Sequence, residues 1–261
     1  MRPKLPFIFF VFSFLWNTSF SQDSDTGTSV FPQYISGSFG TGMFSVKDYY
    51  FSDQKYSGSM PAISFQWMRR HKNYGYRMGF DFSNSDRISN YTMPATVTRF
   101  SLYQDFLYSL GRFRLFNKDV FVFLGPSTDI YFYFNQQQFA ESGIYFDFSF
   151  LAMISACADA FFVIPVGKRL SVESNLGLNV FSLGIQMPEV VVDNNEEAES
   201  AMKLLTVFNG LKSGFDFGVR YHILNRLSVR IAYDLKISNV TVRKKILTVY
   251  DNFAGSIAYH F

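Results

Sequence analysis

The chain has 261 residues, suiting one or two domains, and its 33 Phe and 16 Tyr bring aromatics to 20% while mean hydropathy stays at +0.04, so rings are balanced by polar residues throughout. A formal net charge of +3, part of it from Arg2 and Lys4, leaves no electrostatic footprint for nucleic acid. The single cysteine, Cys157, excludes an internal disulfide and, lying in mid-chain, a lipid-anchored amino-terminal cysteine.

At the amino-terminus Arg2 and Lys4 precede the apolar stretch Phe7 to Trp16, which is too short to span a bilayer. Small Ser19 and Ser21 follow, placed for cleavage before Gln22, so residues 1–21 read as a cleaved secretory signal peptide rather than an uncleaved anchor. Residues 22–33 form a polar tail expected to lie in the periplasm. No later window approaches the roughly 18 uninterrupted apolar residues of a membrane helix.

From Tyr34 onward the pattern has period two, which places alternate side chains on opposite faces of a strand. In Tyr34–Val46, Ile35, Phe39 and Met43 oppose Ser36, Ser38, Gly40 and Gly42. Ser59–Arg70 sets Ile63, Phe65 and Trp67 against Ser64, Gln66 and Arg70, and Tyr74–Ser83 sets Tyr74, Tyr76, Met78, Phe80 and Phe82 against Arg77, Gly79 and Asp81. Thr96–Leu110 carries Arg99, Ser101, Tyr103 and Asp105 on its polar face. Val120–Phe134 carries Asp129 and Tyr131 there. Phe146–Ile164 is a long run whose apolar face is small in the middle, at Ala152, Ala156, Ala158 and Ala160. Leu170–Ile185 carries Ser171, Glu173, Asn175 and Asn179 on the polar face. Two clean runs follow: Phe215, Phe217, Val219 and Tyr221 against Asp216, Arg220 and His222, then Leu227 to Ile237 against Ser228, Arg230, Asp234 and Lys236.

The last run puts Phe253, Gly255, Ile257, Tyr259 and Phe261 on one face and Ala254, Ser256, Ala258 and His260 on the other. An alternating apolar strand ending in Phe resembles the closing strand of Gram-negative outer-membrane β-barrels, where it is the signal read by the barrel-assembly machinery. About ten strands of the required length satisfy the even-number rule for such barrels. The connections at 71–73, 111–119, 165–169 and 223–225 are short, and those at 47–57, 84–93, 135–145, 186–210 and 239–247 are long. The expected fold is all-β: a closed antiparallel transmembrane barrel over 34–261, with short periplasmic turns and long extracellular loops. A secreted soluble sandwich or lipocalin-like barrel is the alternative, and the export signal, terminal Phe and loop asymmetry weigh against it. The resemblance implies a Gram-negative outer-membrane location, contact with outer-membrane lipid, and no cofactor.

The inward face carries a candidate charge network: Arg77, Asp81, Arg99, Asp105, Asp129, Glu173, Asp216, Arg220, Arg230 and Asp234. Pairs along one strand, such as Arg77 with Asp81 or Arg230 with Asp234, are expected to plug the lumen. Cys157 on the same face reads as inert packing. The omptin proteases, also ten-stranded, gather Asp and His at the extracellular rim, but here His71, His222 and His260 all fall at periplasmic ends, so no general base serves the outer surface. An outer-leaflet lipid hydrolase fails likewise, and a metal site among these histidines is disfavoured. A basic periplasmic rim is expected from Arg69, Arg70, Lys72, Arg112, Arg114, Lys118, Lys168 and Arg169, together with Arg226. It would face phospholipid headgroups or an acidic partner. In the acidic connection Asp193–Glu199, the following residues 198–205 fit a short helix or an extension of the hairpin.

The reading these residues favour is a non-enzymatic outer-membrane scaffold or accessory subunit. It is similar to small barrels whose relatives include accessory parts of secretion and assembly machines, type IX secretion among them. A narrow channel for small solutes is the alternative, and an outer-membrane hydrolase comes third.

Overall fold

The computed structural model describes residues 32–49, 54–70, 74–90, 93–138, 146–188 and 201–261. The signal-peptide stretch, most of the tail, His71, Lys72 and the acidic stretch Asp193–Glu199 lie outside the described residues. Within them the chain is all strand: β1 (Tyr34–Asp48), β2 (Tyr56–Arg70), β3 (Tyr74–Asn90), β4 (Met93–Leu115), β5 (Lys118–Gln138), β6 (Phe146–Pro165), β7 (Leu170–Pro188), β8 (Ala201–Thr206), β9 (Gly210–Leu224), β10 (Leu227–Thr241) and β11 (Lys245–His260). Every neighbouring pair is antiparallel, and β11 pairs with β1, so no edge strand is left open around the circuit. Such closure answers a membrane's demand that all backbone groups be paired internally.

The circuit is ten-stranded because β8 and β9 run in one direction along the same partner. Thr206 of β8 faces Phe181 of β7, and Ser213 of β9 faces Leu178. The intervening chain bulges out, exposing Phe208. The gap in the ladder is filled by a side chain. Asn179 Nδ2 donates to Gly210 O (2.5 Å) and Ser182 Oγ (3.0 Å), and Asn179 Oδ1 accepts from Lys212 N. Following paired residues from Tyr34 through Met68, Arg77, Asp105, Ser127, Cys157 and Asn179, across the Asn179 side-chain bridge to Lys212 one step beyond the Leu178–Ser213 pair, then Ser238 and Thr248, returns to β1 at Val46. The barrel therefore closes with a shear of twelve residues. That stagger tilts the strands and brings inward residues of distant strands to one level. At the closing seam β1 and β11 approach so tightly that a Cβ on Gly42 would overlap the Asp251 carbonyl oxygen.

The outward face is apolar. Phe39 is 63% and Ile231 72% exposed, exposures that in water would be costly and in hydrocarbon are not. Phe65, Phe80, Phe100, Phe132 and Phe150 form a diagonal ladder across β2 to β6, with successive ring centroids 6.0–6.4 Å apart.

The connections differ from expectation. β3 and β4 pair as far as Asn90 opposite Met93, so strand runs through 84–90 and resumes at Met93, and β10 and β11 leave only 242–244 between them. Alternation hid this for two reasons. A register shift between Ser85 and Ile88 resets the parity, and outward residues such as Asn84 and Asp86 are polar where the wall stands above lipid. The connection 186–210 contains β8, so its described part extends the hairpin rather than forming a helix. The basic turn 111–119 contracts to Phe116-Asn117, with φ of 47° and 61°, the sign pattern of a type I′ hairpin turn. Asn suits that left-handed region and Phe does not.

Replacing Asn179 with Ala strips partners from Gly210 O and Lys212 N. The expected cost is about 1–3 kcal/mol, seen as a lower temperature for loss of the compact band on semi-native gels. An unchanged transition would mean that the bulge holds without its side-chain bridge.

Candidate functional site

The inward face builds a lumen in three tiers. At the end bearing the turns 116–117, 166–169 and 225–226, Tyr34, Met68, Leu107, Phe123, Phe161 and Val163 form a buried apolar floor with Ala258. An arginine cluster completes that floor. Arg220, 2% exposed, donates from Nε (2.6 Å) and Nη2 (3.0 Å) to the two Glu173 oxygens, and its guanidinium lies 4.1 Å from the Tyr34 ring centroid. Arg230 reaches Glu173 at 3.2 Å and also pairs with Asp216. A planar guanidinium matched to both carboxylate oxygens is the geometry that offsets the desolvation of a buried ion pair.

The middle tier is polar. Arg77 pairs with Asp105 directly across the β3–β4 ladder, approaches Asp159 at 3.6 Å and donates to Asn175 Oδ1 at 3.1 Å. Lys236 lies between Asp81 (2.6 Å) and Asp234 (3.2 Å), and Lys212 pairs with Asp129. The expected pairs along a strand do not form: Asp81 goes to Lys236 and not Arg77, while Asp234 goes to Lys236 and not Arg230. Four residues along one strand span about 13 Å, whereas neighbouring strands are about 4.8 Å apart and alternate residues on one strand about 7 Å, so Asp81 finds Lys236 across the lumen and Asp234 finds it two residues along its own strand. Lys212, Lys236 and Asp159 therefore join the predicted set. Asp159 was legible by parity between outward Ala158 and Ala160, and Lys236 by its place in β10. Small residues such as Ser36, Ser38, Ser64 and Ala254 leave a cavity of about 260 Å³ in this tier.

The upper tier closes the other end. Arg99 is enclosed by the rings of Phe44, Tyr131 and Tyr250, with its guanidinium 4.8 Å from the Tyr250 centroid, and Nε donates to the Tyr131 hydroxyl at 3.4 Å. Stacking on aromatic faces holds this charge without a carboxylate in ion-pair range among the described residues. Above it, Val46, Tyr56, Met60, Ile88, Val97 and Leu151 belong to one continuous buried cluster that also takes in Leu205 of β8. Sequence alternation missed this ceiling because the polarity of the two faces inverts there: the inward residues are apolar while the flanking ones, such as Ser45, Lys47, Ser59, Thr96 and Thr98, are polar.

His222 and His260 meet at the floor, with ring centroids 4.8 Å apart, and His260 Nε2 contacts Ser228 Oγ at 2.7 Å. Ser228 is fully buried and also accepts from Arg220 Nη1 at 3.1 Å, so its hydroxyl has no open approach for a substrate. Cys157 lies half-buried on the inward face. No group of three or more metal-ligating side chains occurs among the described residues. The predicted closing-strand residues Phe253, Gly255, Ile257 and Tyr259 lie on the outer face of β11, with Phe261 just past its end. Arg69, Arg70, Arg112, Arg114, Lys118, Lys168, Arg169 and Arg226 ring the turn end. Arg114 pairs with Asp119 at 3.4 Å, and Lys118 Nζ donates to Val166 O at 3.2 Å.

No protein-family model matches the chain, and no curated protein sequence does. Among solved structures, the outer membrane protease OmpT of Escherichia coli aligns over 91% of this chain and 100% of its own, at 7% identity and a TM-score of 0.50. The fold is that of an outer-membrane β-barrel. The translocator domain of the autotransporter NalP from Neisseria meningitidis aligns over 91% of this chain and 90% of its own, at 12% identity and a TM-score of 0.43. The basic residues lie at the end that bears the floor and the turns 116–117, 166–169 and 225–226, and the aromatic ceiling lies at the opposite end.

Truncating Lys236 to Met leaves Asp81 and Asp234 facing each other without their shared cation. The expected loss is about 3–5 kcal/mol. Adding Asp81→Asn and Asp234→Asn should recover most of it, measured as the unfolding midpoint in urea. Additive losses in the triple variant would show that the three side chains act independently.

Proposed function

We propose that this protein is a non-enzymatic accessory or scaffold subunit of an outer-membrane complex, exported to the outer membrane of a Gram-negative cell and acting through its rims. The observation that carries this reading is a buried apolar cluster at each end of the lumen, the floor around Phe161 and the ceiling over Arg99. Between them the charges satisfy one another across the barrel, as a structural core does, rather than lining a continuous wet path. A barrel filled in this way is an anchor. What it offers to other molecules is its outer face and the strand ends and loops at each rim.

The narrow-channel reading rests on the mid-lumen cavity of about 260 Å³. A conduit would need both clusters to part. The non-enzymatic reading is supported by the burial of Ser228 beside His260 and by the position of His222 and His260 at the floor. OmpT is a protease by name, and a fold shared at 7% identity carries none of that activity across.

Two measurements test the proposal. Purified barrel in planar bilayers should give no conductance steps, and truncating only the ceiling (Phe44→Ala with Tyr250→Ala) should leave it silent. Truncating ceiling and floor together (adding Met68→Ala and Phe161→Ala) should open it. Steps from the unmodified protein would favour the channel. In mild detergent the native protein should migrate within a complex of defined composition, whereas a lone monomer would count against an accessory role.

A further inference from the structure

Two buried polar groups on the wall of the mid-lumen cavity lack partners, and they are of opposite kind. Arg99 is 8% exposed, and its Nη1 meets no acceptor among the described residues. The rings around it hold its charge, but a ring face does not supply the paired oxygens that a guanidinium fork matches. Asn252 is 6% exposed, and its Oδ1 meets no donor. In the β10–β11 ladder it stands directly opposite Asp234. A buried donor and a buried acceptor left unmade on one cavity wall are each costly, which points to something between them.

The carboxylates of the same cavity are short of cations. Asp81 and Asp234 share Lys236, at 2.6 and 3.2 Å, and keep 29% and 18% of their side-chain surface open. Asp81 lies two residues along β3 from Ser83, the residue paired with Arg99 across the β3–β4 ladder. Diagonal neighbours of that kind are about 7–8 Å apart. Asp81 nevertheless turns to Lys236 and leaves Arg99 without an ion pair. One unmatched positive charge and one surplus negative charge therefore face the same space, too far apart to satisfy each other directly.

These charges select the class of ligand. Seven acidic and six basic side chains line the cavity, so a simple anion on Arg99 would add to a lining that is already net negative. A simple cation beside Asp81 and Asp234 would leave Arg99 Nη1 as it is. A molecule that carries both charges serves both ends and adds no net charge. At about 30 Å³ for each water-sized heavy atom, the space of about 260 Å³ takes a molecule of roughly eight heavy atoms. We propose that the mid-lumen cavity binds a small zwitterion, with its carboxylate on the Arg99 guanidinium and its ammonium against Asp81, Asp234 and the Asn252 amide oxygen. The inference goes beyond the accessory reading, which concerns the rims and stands whatever the lumen holds.

The test uses the full chain in detergent micelles, unfolded in urea and refolded with radiolabelled 4-aminobutyrate, so that loading needs no passage through the floor or the ceiling. Gel filtration should then carry about one 4-aminobutyrate with each folded barrel. Butyrate and butylamine, which bear one charge each, and erythritol, which bears none, should be retained at least tenfold less. Arg99→Met should lower retention at least tenfold, and Asn252→Ala severalfold. Ala254→Met fills the cavity without altering any charge, and should abolish retention while the compact band on semi-native gels persists, which separates lost binding from lost folding. A folded wild-type barrel that retains no 4-aminobutyrate would overturn the inference. So would butyrate, butylamine or erythritol held as well as the zwitterion, or retention unchanged in the folded Arg99 and Ala254 variants.

Discussion

Everything in this molecule follows from the inability of lipid to hydrogen-bond. Backbone amides and carbonyls exposed to hydrocarbon have no partner there, so the sheet must close, and β1 pairs with β11 along fifteen successive residues to close it. Closure creates a second problem at once, because a ten-stranded circuit with a shear of twelve encloses a space that side chains must fill. Large residues fill its two ends. In the middle tier the wall is Gly, Ala and Ser on β1, β2 and β11, and only the long side chains of the opposing strands reach across. Those side chains are charged, so they must be paired, and each pair must be made at the height where two strands bring their ends together.

The outward face of the barrel was legible in the sequence because lipid imposes one rule on every strand: an apolar residue at each second position. Ile231, Phe217 and Phe39 obey it, and period-two reading placed them on the exposed face where they lie. The rule lapses where lipid does. Above the membrane Asn84 and Asp86 face outward in a strand that has no alternation of polarity to betray it. Bulges do further damage: Val180 and Phe181 are both exposed because the register between β6 and β7 shifts beside Cys157, and parity counted through that point is wrong beyond it.

The lumen was legible only in part, for a different reason. Alternation says which face a residue occupies and nothing about the height at which it meets residues of other strands. Arg77 and Asp159 approach each other from strands separated by 82 residues of sequence, and their meeting depends on the stagger accumulated over the intervening pairings. No local pattern carries that information. The ceiling was harder still: Tyr131 and Met153 face inward from segments whose outward residues are equally apolar and so have no readable period, while around Val46, Met60 and Val97 the apolar face turns inward and the polar one outward. A lumen of ion pairs was therefore predictable in kind. That a buried apolar cluster lies at each end was not.

Foldable sequences agree with themselves at every level, from turn chemistry to core packing, and departures are informative where they bring no packing gain. Most departures in this barrel repay their cost. Asn179 sits in the interior of a strand, yet its amide replaces backbone bonds lost at the β8–β9 bulge. Arg99 is buried without a carboxylate in ion-pair range among the described residues, yet three aromatic rings enclose it. Phe116 differs from both. It holds a left-handed backbone that favours Asn or Gly, exposes almost its whole ring to water, and touches neither the floor nor the lipid-facing wall. Both costs fall on the folded monomer, and no contact among the described residues offsets the strain at Phe116.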